Sequence, residues 1–409
     1  MKHLIYIFLM GITFGGCSRN TQKSMVDFTA KAEKIAKDII ITDGHIDLPY
    51  RLRVKNFQLS REYLGIPIQT NEGDFDYVRA KEGGLDAPFM SIYIPAKYQT
   101  EGGADKLADS LINMVHGIIN AHPDKFAKGH SPEDIENNTK SGLISLPMGM
   151  ENGAPIAMDL DKINYYFDKG IRYITLTHSK NNQICDSSYD LDRKWNGLSP
   201  FGYQVVERMN SVGMLIDVSH ISDSAFYQVM RTTKTPVIAS HSSCRIFTPE
   251  FERNMSDDMI RTMKEKNSVI QINFGSTFID SEITMAREKY RNDWLEYLEG
   301  QGVDTNSPEA RKLEEDFKDN YAPALYSTVQ KVADHIDHVV KIAGIDYVGL
   351  GSDFDGVGDS LPTGLKDVSQ YPNLIAELLL RGYSKNDIEK ICYKNVWRVW
   401  KSVLNYKTI

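Results

Sequence analysis

The sequence predicts an α/β protein built as a (β/α)8 barrel of the TIM type, with a helical insertion between strands 7 and 8. Three observations carry that expectation. Eight apolar runs of strand length recur along the chain. Amphipathic stretches with helical spacing lie between them. Ionisable residues gather at the C-terminal ends of the runs, where a barrel keeps its chemistry. Strands alternating with helices in this way form a parallel sheet. A doubly wound open sheet is the alternative, but no G-x-G-x-x-G follows the first run.

The runs occupy 39–47 (IIITDGHID), 87–95 (APFMSIYIP), 143–152 (LISLPMGMEN), 171–179 (IRYITLTHS), 214–220 (MLIDVSH), 236–243 (PVIASHSS), 268–274 (SVIQINF) and 347–355 (YVGLGSDFD). In the first, β-branched Ile39 to Thr42 suit a buried, pleated surface. Asp43-Gly44 should end or bend that strand. If His45 and Asp47 stay extended, their side chains face one spot.

Between the runs, 106–121, 256–266 and 328–342 read as helices, the second opening on Ser256-Asp257-Asp258 as a cap. Segment 280–321 breaks the alternation. It is rich in charge and tyrosine and reads as two surface helices inserted over or beside the barrel mouth. A solvated decoration explains it at least as well as a substrate lid. The last segment, 384–404, reads as a helix with Ser384 at its N-cap and tryptophans used for packing.

With 409 residues and a formal charge of −8, the chain is long enough for one large domain, and it shows no basic run of the kind nucleic-acid binders carry. Its first 16 residues, MKHLIYIFLMGITFGG, have the layout of a secretory signal. They are too short to span a bilayer, which takes about 20 apolar residues. The small residues before Cys17 resemble a bacterial lipoprotein signal, so the expected organisation is a signal peptide over 1–16, lipidation at Cys17, a polar tether over 17–30 and a catalytic domain over 31–409. That places the protein in a bacterial cell envelope, exported and held to a membrane by its lipid anchor. An ordinary signal peptide with an incidental Cys17 is the alternative. Cys185, Cys244 and Cys392 are too scattered for a disulfide framework or a structural zinc site.

The chemistry lies at the run ends. His45 and Asp47 close the first run, Glu151 the third, His178 the fourth, His220 the fifth and His241 the sixth, and Asp353 lies at the end of the eighth. A lone histidine after a strand is usually a satisfied structural residue. Four histidines with three carboxylates read as a metal site, and exceed the three or so protein ligands of a single catalytic zinc. The mixture suits two metals about 3.5–4 Å apart and the hydrolysis of an amide or ester.

Seven motifs, DGHIDLP, LTHS, GLSPFG, LIDVSH, SHSS, GSDFDG and YPNLIAELL, resemble in sequence and order those of the membrane (renal) dipeptidase family of dizinc peptidases. The resemblance runs from Asp43 to about Val399. It implies a (β/α)8 barrel, two zinc ions per chain, and cleavage of dipeptides, including ones with a D residue at the C-terminal position. It further implies that His45 and Asp47 bind one zinc, His220 and His241 the other, and that Glu151 bridges them. The GMENGAP segment around Glu151 departs from the family's glycine-rich version. His178 matches the histidine that contacts the substrate carbonyl and steadies the oxyanion. Arg253, in ERNM, matches the arginine that grips the dipeptide's carboxylate, and Asp353 the acid/base that moves the water proton to the leaving amine. A homodimer stays open.

Two other readings compete: a dizinc amidohydrolase acting on another amide or ester, and a non-catalytic peptide-binding lipoprotein. Asp355 is expected to support the site structurally. His335, His338 and Cys244 are expected to pack, and His116, His122 and His130 carry no assigned role.

Overall fold

The computed structural model describes residues 17–54, 68–322 and 324–408. Eight parallel strands close into a ring in sequence order: β1 (Thr42–Ile46), β2 (Ala87–Tyr93), β3 (Met148–Glu151), β4 (Ile171–Thr175), β5 (Leu215–Asp217), β6 (Ile238–Ala239), β7 (Val269–Ile272) and β8 (Val348–Leu350). Closure is made by β8 pairing with β1, Leu350 against Asp43. The barrel expected from the alternation is therefore the one that forms, each run supplying one barrel strand.

The pleat sends alternate side chains inward, and their character changes along each strand. Ala87, Phe89, Tyr173, Leu215, Ile238 and Val269, toward the N-terminal ends, form one buried cluster with Trp397, Trp400 and Val403 of the last helix (Asn395–Tyr406). Phe89 and Trp400 lie 5.1 Å apart by ring centroid, and the Trp397 indole donates to Thr42 Oγ1 at 3.1 Å. The final helix thus plugs the N-terminal end, which is the packing role expected for its tryptophans. It is reached through a capping box between Ser384 and Asp387 and a single π-turn, Lys390–Lys394. Toward the C-terminal ends the inward positions become polar, with Ser91, Glu151, Thr175, Asp217 and Gln271 all buried.

Three expectations meet a different structure or fall outside it. Asp43-Gly44 does not end the first strand; it lies inside β1, with a register irregularity between Asp43 and Ile46. The Asp43 carboxylate is fully buried and accepts from the amides of His45 and Ser352 and from the Tyr371 hydroxyl, so tertiary partners replace those of a turn. A side chain at Gly44 would meet the Ser240 carbonyl at 2.4 Å, so the glycine serves close approach rather than a turn. The polar segment expected as a tether is helical, continuous with Cys17–Asp38, whose later turns bury Ala32, Ile35 and Ala36. Residues 1–16, read as a signal, lie outside the described residues. No described helix is long and apolar enough to cross a membrane.

The insertion between β7 and β8 holds two helices, Ser281–Gln301 and Pro308–Asp319. They share a small core of Trp294, Leu298 and Ala310. Lys318 pairs with Asp359, on the loop that follows β8, and so fastens the insertion to the barrel mouth.

Candidate metal centre and active site

Every ionisable residue that closes a run arrives at the same end of the barrel. His45 sits within β1 and Asp47 just past it; Glu151 is the last residue of β3. His178, His220, His241 and Asp353 follow β4, β5, β6 and β8 within three residues. Glu151 stands at the centre. Its Oε2 lies 3.4 Å from His45 Nε2, and its Oε1 lies 3.0 Å from His220 Nε2, 3.4 Å from His241 Nε2 and 3.6 Å from His178 Nε2. Asp47 Oδ2 is 3.4 Å from His45 Nε2. The imidazoles of His45 and His241 stack with centroids 3.8 Å apart, and the Nε2 atoms of His220 and His241 are separated by 2.8 Å.

Asp353 faces the same space, forming one of three overlapping ligand groups: His45, Glu151 and His241; Glu151, His178 and His220; His45, Asp47 and Asp353. Its Oδ2 accepts from Asn273 Nδ2 at 2.7 Å. Asn273 was not singled out from sequence, although it is the penultimate residue of the seventh run. Asp353 has a φ of +64°, and a side chain at Gly356 would fall 2.2 Å from Asp47 Oδ2 and 2.3 Å from Asp353 Oδ1. Only glycine lets this loop close over the two carboxylates.

The donor set fits divalent cations. His45 Nε2, Asp47 Oδ1, His178 Nδ1 and His220 Nδ1 are buried without a hydrogen-bond partner, a costly state that coordination at the same cluster relieves for the atoms facing it. The far nitrogens of two histidines are held. His45 Nδ1 lies 2.8 Å from the Tyr173 hydroxyl, and His241 Nδ1 lies 2.7 Å from Ser240 Oγ. Each hydroxyl gives its proton elsewhere, to the Gly44 carbonyl and to Asp217 respectively. Both rings therefore carry their proton on Nδ1 and turn the Nε2 lone pair toward the cluster. Tyr173, Ser240 and Asp217 were also missed from sequence; their inward position one turn of the pleat below the ligands was the available signal.

The field in the cluster is strongly mixed. Burial opposes ionisation of Glu151, but the surrounding histidines hold its carboxyl well below the usual range. Burial, with Asp47 and Glu151 beside it, drives Asp353 well above that range. Burial and Arg253 push His220 well down, and burial with His45 and Arg253 does the same to His241. Burial also disfavours protonation of His45, but Tyr173, Glu151 and Asp47 outweigh it and raise its pKa. The negative surroundings that would hold a proton at His45 equally suit a metal ion.

Arg253 is buried beside the cluster. Its Nη2 lies 3.1 Å from His220 Nε2 and donates to the His241 carbonyl at 2.7 Å, while Nη1 donates to Ser242 Oγ at 2.7 Å. The cluster opens into a cavity of about 890 Å³ whose wall includes Tyr50, Tyr93, Tyr189 and Phe278. Asp355 is buried against Arg51, Nε to Oδ1 at 3.0 Å; its carboxylate accepts from the Asp74 amide, and its own amide donates to the Asp74 carboxylate.

The remaining histidines lie elsewhere. His335 accepts from the Cys244 amide and faces the Ile279 carbonyl, and His338 pairs with Asp257. Cys244 is buried, and burial pushes its thiol far up. His116, His122 and His130 belong to none of the ligand groups found among the described residues.

Residues 29–408 match the family model described as Membrane dipeptidase (Peptidase family M19). The chain belongs to the membrane dipeptidase family. Dipeptidase aclJ of Aspergillus oryzae is 32% identical over 376 residues, spanning 90% of this chain and 79% of that protein. The probable dipeptidase PvdM of Pseudomonas aeruginosa superposes with a TM-score of 0.76 at 27% identity, over 93% of this chain and 99% of that one. A metallo peptidase of Rhodobacter sphaeroides, solved with a phosphinate mimic of the dipeptide L-Ala-D-Ala, shares the fold at 22% identity with a TM-score of 0.71, over 89% of this chain and 99% of that one. The protein is thus a metallo-dipeptidase on a TIM barrel.

Proposed function

We propose that this dipeptidase uses two zinc ions to hydrolyse the peptide bond of dipeptides, including those with a C-terminal D residue. The observation that carries the reading is one carboxylate, Glu151, within 3.0–3.6 Å of four histidine Nε2 atoms from four strand ends. His45 and Asp47 would hold one ion, His220 and His241 the other, with Glu151 between them. Bound there, the ions supply Lewis acidity that activates a water and polarises the scissile carbonyl.

The chain's own residues do the rest. Asp353, buried beside Asp47 and held by Asn273, takes the proton of the attacking water and delivers it to the leaving amine. His178, at the rim with its ring centroid 4.8 Å from that of Tyr93, steadies the oxygen that gains charge. Arg253 offers a fork to the free carboxylate of the substrate, which selects dipeptides over longer chains with an internal amide at that place. The short apolar leader before Cys17 supports an exported protein anchored by lipid at Cys17 in a bacterial cell envelope.

The test compares zinc-loaded and chelator-stripped protein on L-Ala-L-Ala, L-Ala-D-Ala, N-acyl amino acids and lactones. Turnover of the dipeptides that disappears on stripping and returns with zinc is expected. Turnover confined to N-acyl amino acids or lactones, or dipeptide binding without hydrolysis, would reject the proposal.

A further inference from the structure

The two halves of the cluster are supported differently. On one side the ligands include a carboxyl side chain of their own, Asp47, and the relay behind His45 runs through a phenol and a carbonyl. It runs from Nδ1 to the Tyr173 hydroxyl and on to the Gly44 carbonyl, at 2.8 and 3.1 Å. Tyr173 reaches this position because β3 carries Gly149, where a side chain would meet the phenol ring at 1.9 Å. On the other side His220 and His241 are both imidazoles, and among the described residues Glu151 is the one carboxylate in the ligand groups that hold them, His220 with His178 and His241 with His45.

A carboxylate stands behind them instead. Asp217 is fully buried at the end of β5, one layer below the ligands. Its Oδ1 accepts from the Ser219 amide at 3.0 Å and the Ser240 amide at 2.8 Å. Its Oδ2 accepts from Thr175 Oγ1 at 2.5 Å and Ser240 Oγ at 2.7 Å. Four donors and no acceptor face it, which is the environment an acceptor-only carboxylate needs. Because the Ser240 hydroxyl spends its one proton on Asp217, its lone pair must receive the proton of His241 Nδ1, 2.7 Å away.

We propose that Asp217 is a positioning residue that supplies, through Ser240, the negative charge and the imidazole orientation on which the cation at His220 and His241 depends. The proposal rests on the two-cation reading above. It predicts an inverted relay in Asp217→Asn. The two backbone amides at Oδ1 force the amide oxygen to that side, so the new NH2 group occupies the place of Oδ2 and donates to Ser240. The Ser240 proton then turns to His241 Nδ1 and moves the ring proton to Nε2, the atom that must face the metal. Ser240→Ala tests the same link while leaving the Asp217 contacts with Thr175 and both amides in place.

The experiment titrates Zn2+ into the metal-free full-length protein against a chromophoric chelator. Wild type is expected to bind two ions. Asp217→Asn and Ser240→Ala should each bind one ion as wild type does and the other about 10- to 100-fold more weakly. Tyr173→Phe should leave that second ion unaffected. Two wild-type affinities in Ser240→Ala, or equal weakening of both ions in both variants, would overturn the proposal. A wild type that binds fewer than two ions would overturn the two-cation reading itself and the relay with it, whereas normal wild-type binding with unaltered variants would fail the relay alone.

Discussion

The two ends of this barrel are built from the same eight strands and share almost nothing else. At the N-terminal end the inward residues are large and apolar, and Trp397 and Trp400 seal them. At the C-terminal end, a few residues further along the same strands, the inward residues are imidazoles and carboxylates, and the backbone is strained. His220, Asp353 and Asp355 all hold φ between +64° and +69°. Strain of that kind costs of order 1–3 kcal/mol per residue and persists only where the surroundings dictate it. One end therefore carries stability and the other spends some of it on chemistry, and substitutions at each end should fail in different ways.

The sharpest break is expected from Glu151→Gln, which removes the one group shared by all four histidines. Its loss of metal affinity should exceed the 10- to 100-fold typical of supporting residues, and turnover should go with it; metal analysis after dialysis reads the first and dipeptide hydrolysis the second. If Asp353 is the proton carrier proposed above, Asp353→Asn should keep both ions and lower kcat by about 10²- to 10⁴-fold. At the opposite end, Trp400→Ala should cost about 3–5 kcal/mol of stability in denaturant titration while the folded fraction keeps its kcat. A Trp400→Ala protein of normal stability and impaired chemistry would erase the distinction between the ends.

Smaller effects sharpen it. Arg253→Lys keeps the charge but loses the planar fork, and should raise KM about 10-fold or more with little change in kcat. His130, near the N-terminal end, belongs to none of the ligand groups found among the described residues. Burial, then Arg172, lowers its pKa to about 4. It is neutral in the fold and gains a proton near pH 6.5 when unfolded, so its contribution is full above that pH and is lost as pH falls toward 4. Melting curves should show a drop of about 2–4 °C across that window, and His130→Gln should flatten it.

Much of this is legible in the amino-acid sequence alone. His45, Asp47, Glu151, His178, His220, His241 and Asp353 each close or follow an apolar run, and the barrel converts that linear position into a common point. What stayed hidden depends on pairing between distant strands. Asp217 reads as an ordinary polar residue until the register sets Thr175 beside it and β6 brings Ser240 across, and Tyr173 reads as core until Gly149 opens the space above its ring. Asp43-Gly44 misled for the same reason. A turn signal is a local preference, and the Ser352 amide and Tyr371 hydroxyl that override it lie more than 300 residues away.

The proposed chemistry requires two cations sharing Glu151 at the mouth of the barrel. Anomalous diffraction at the zinc edge from crystals of the zinc-loaded protein tests it most directly. Two peaks are predicted, one beside His45 and Asp47 and one beside His220 and His241, with Glu151 between them. A single peak, or peaks remote from Glu151, would contradict the claim.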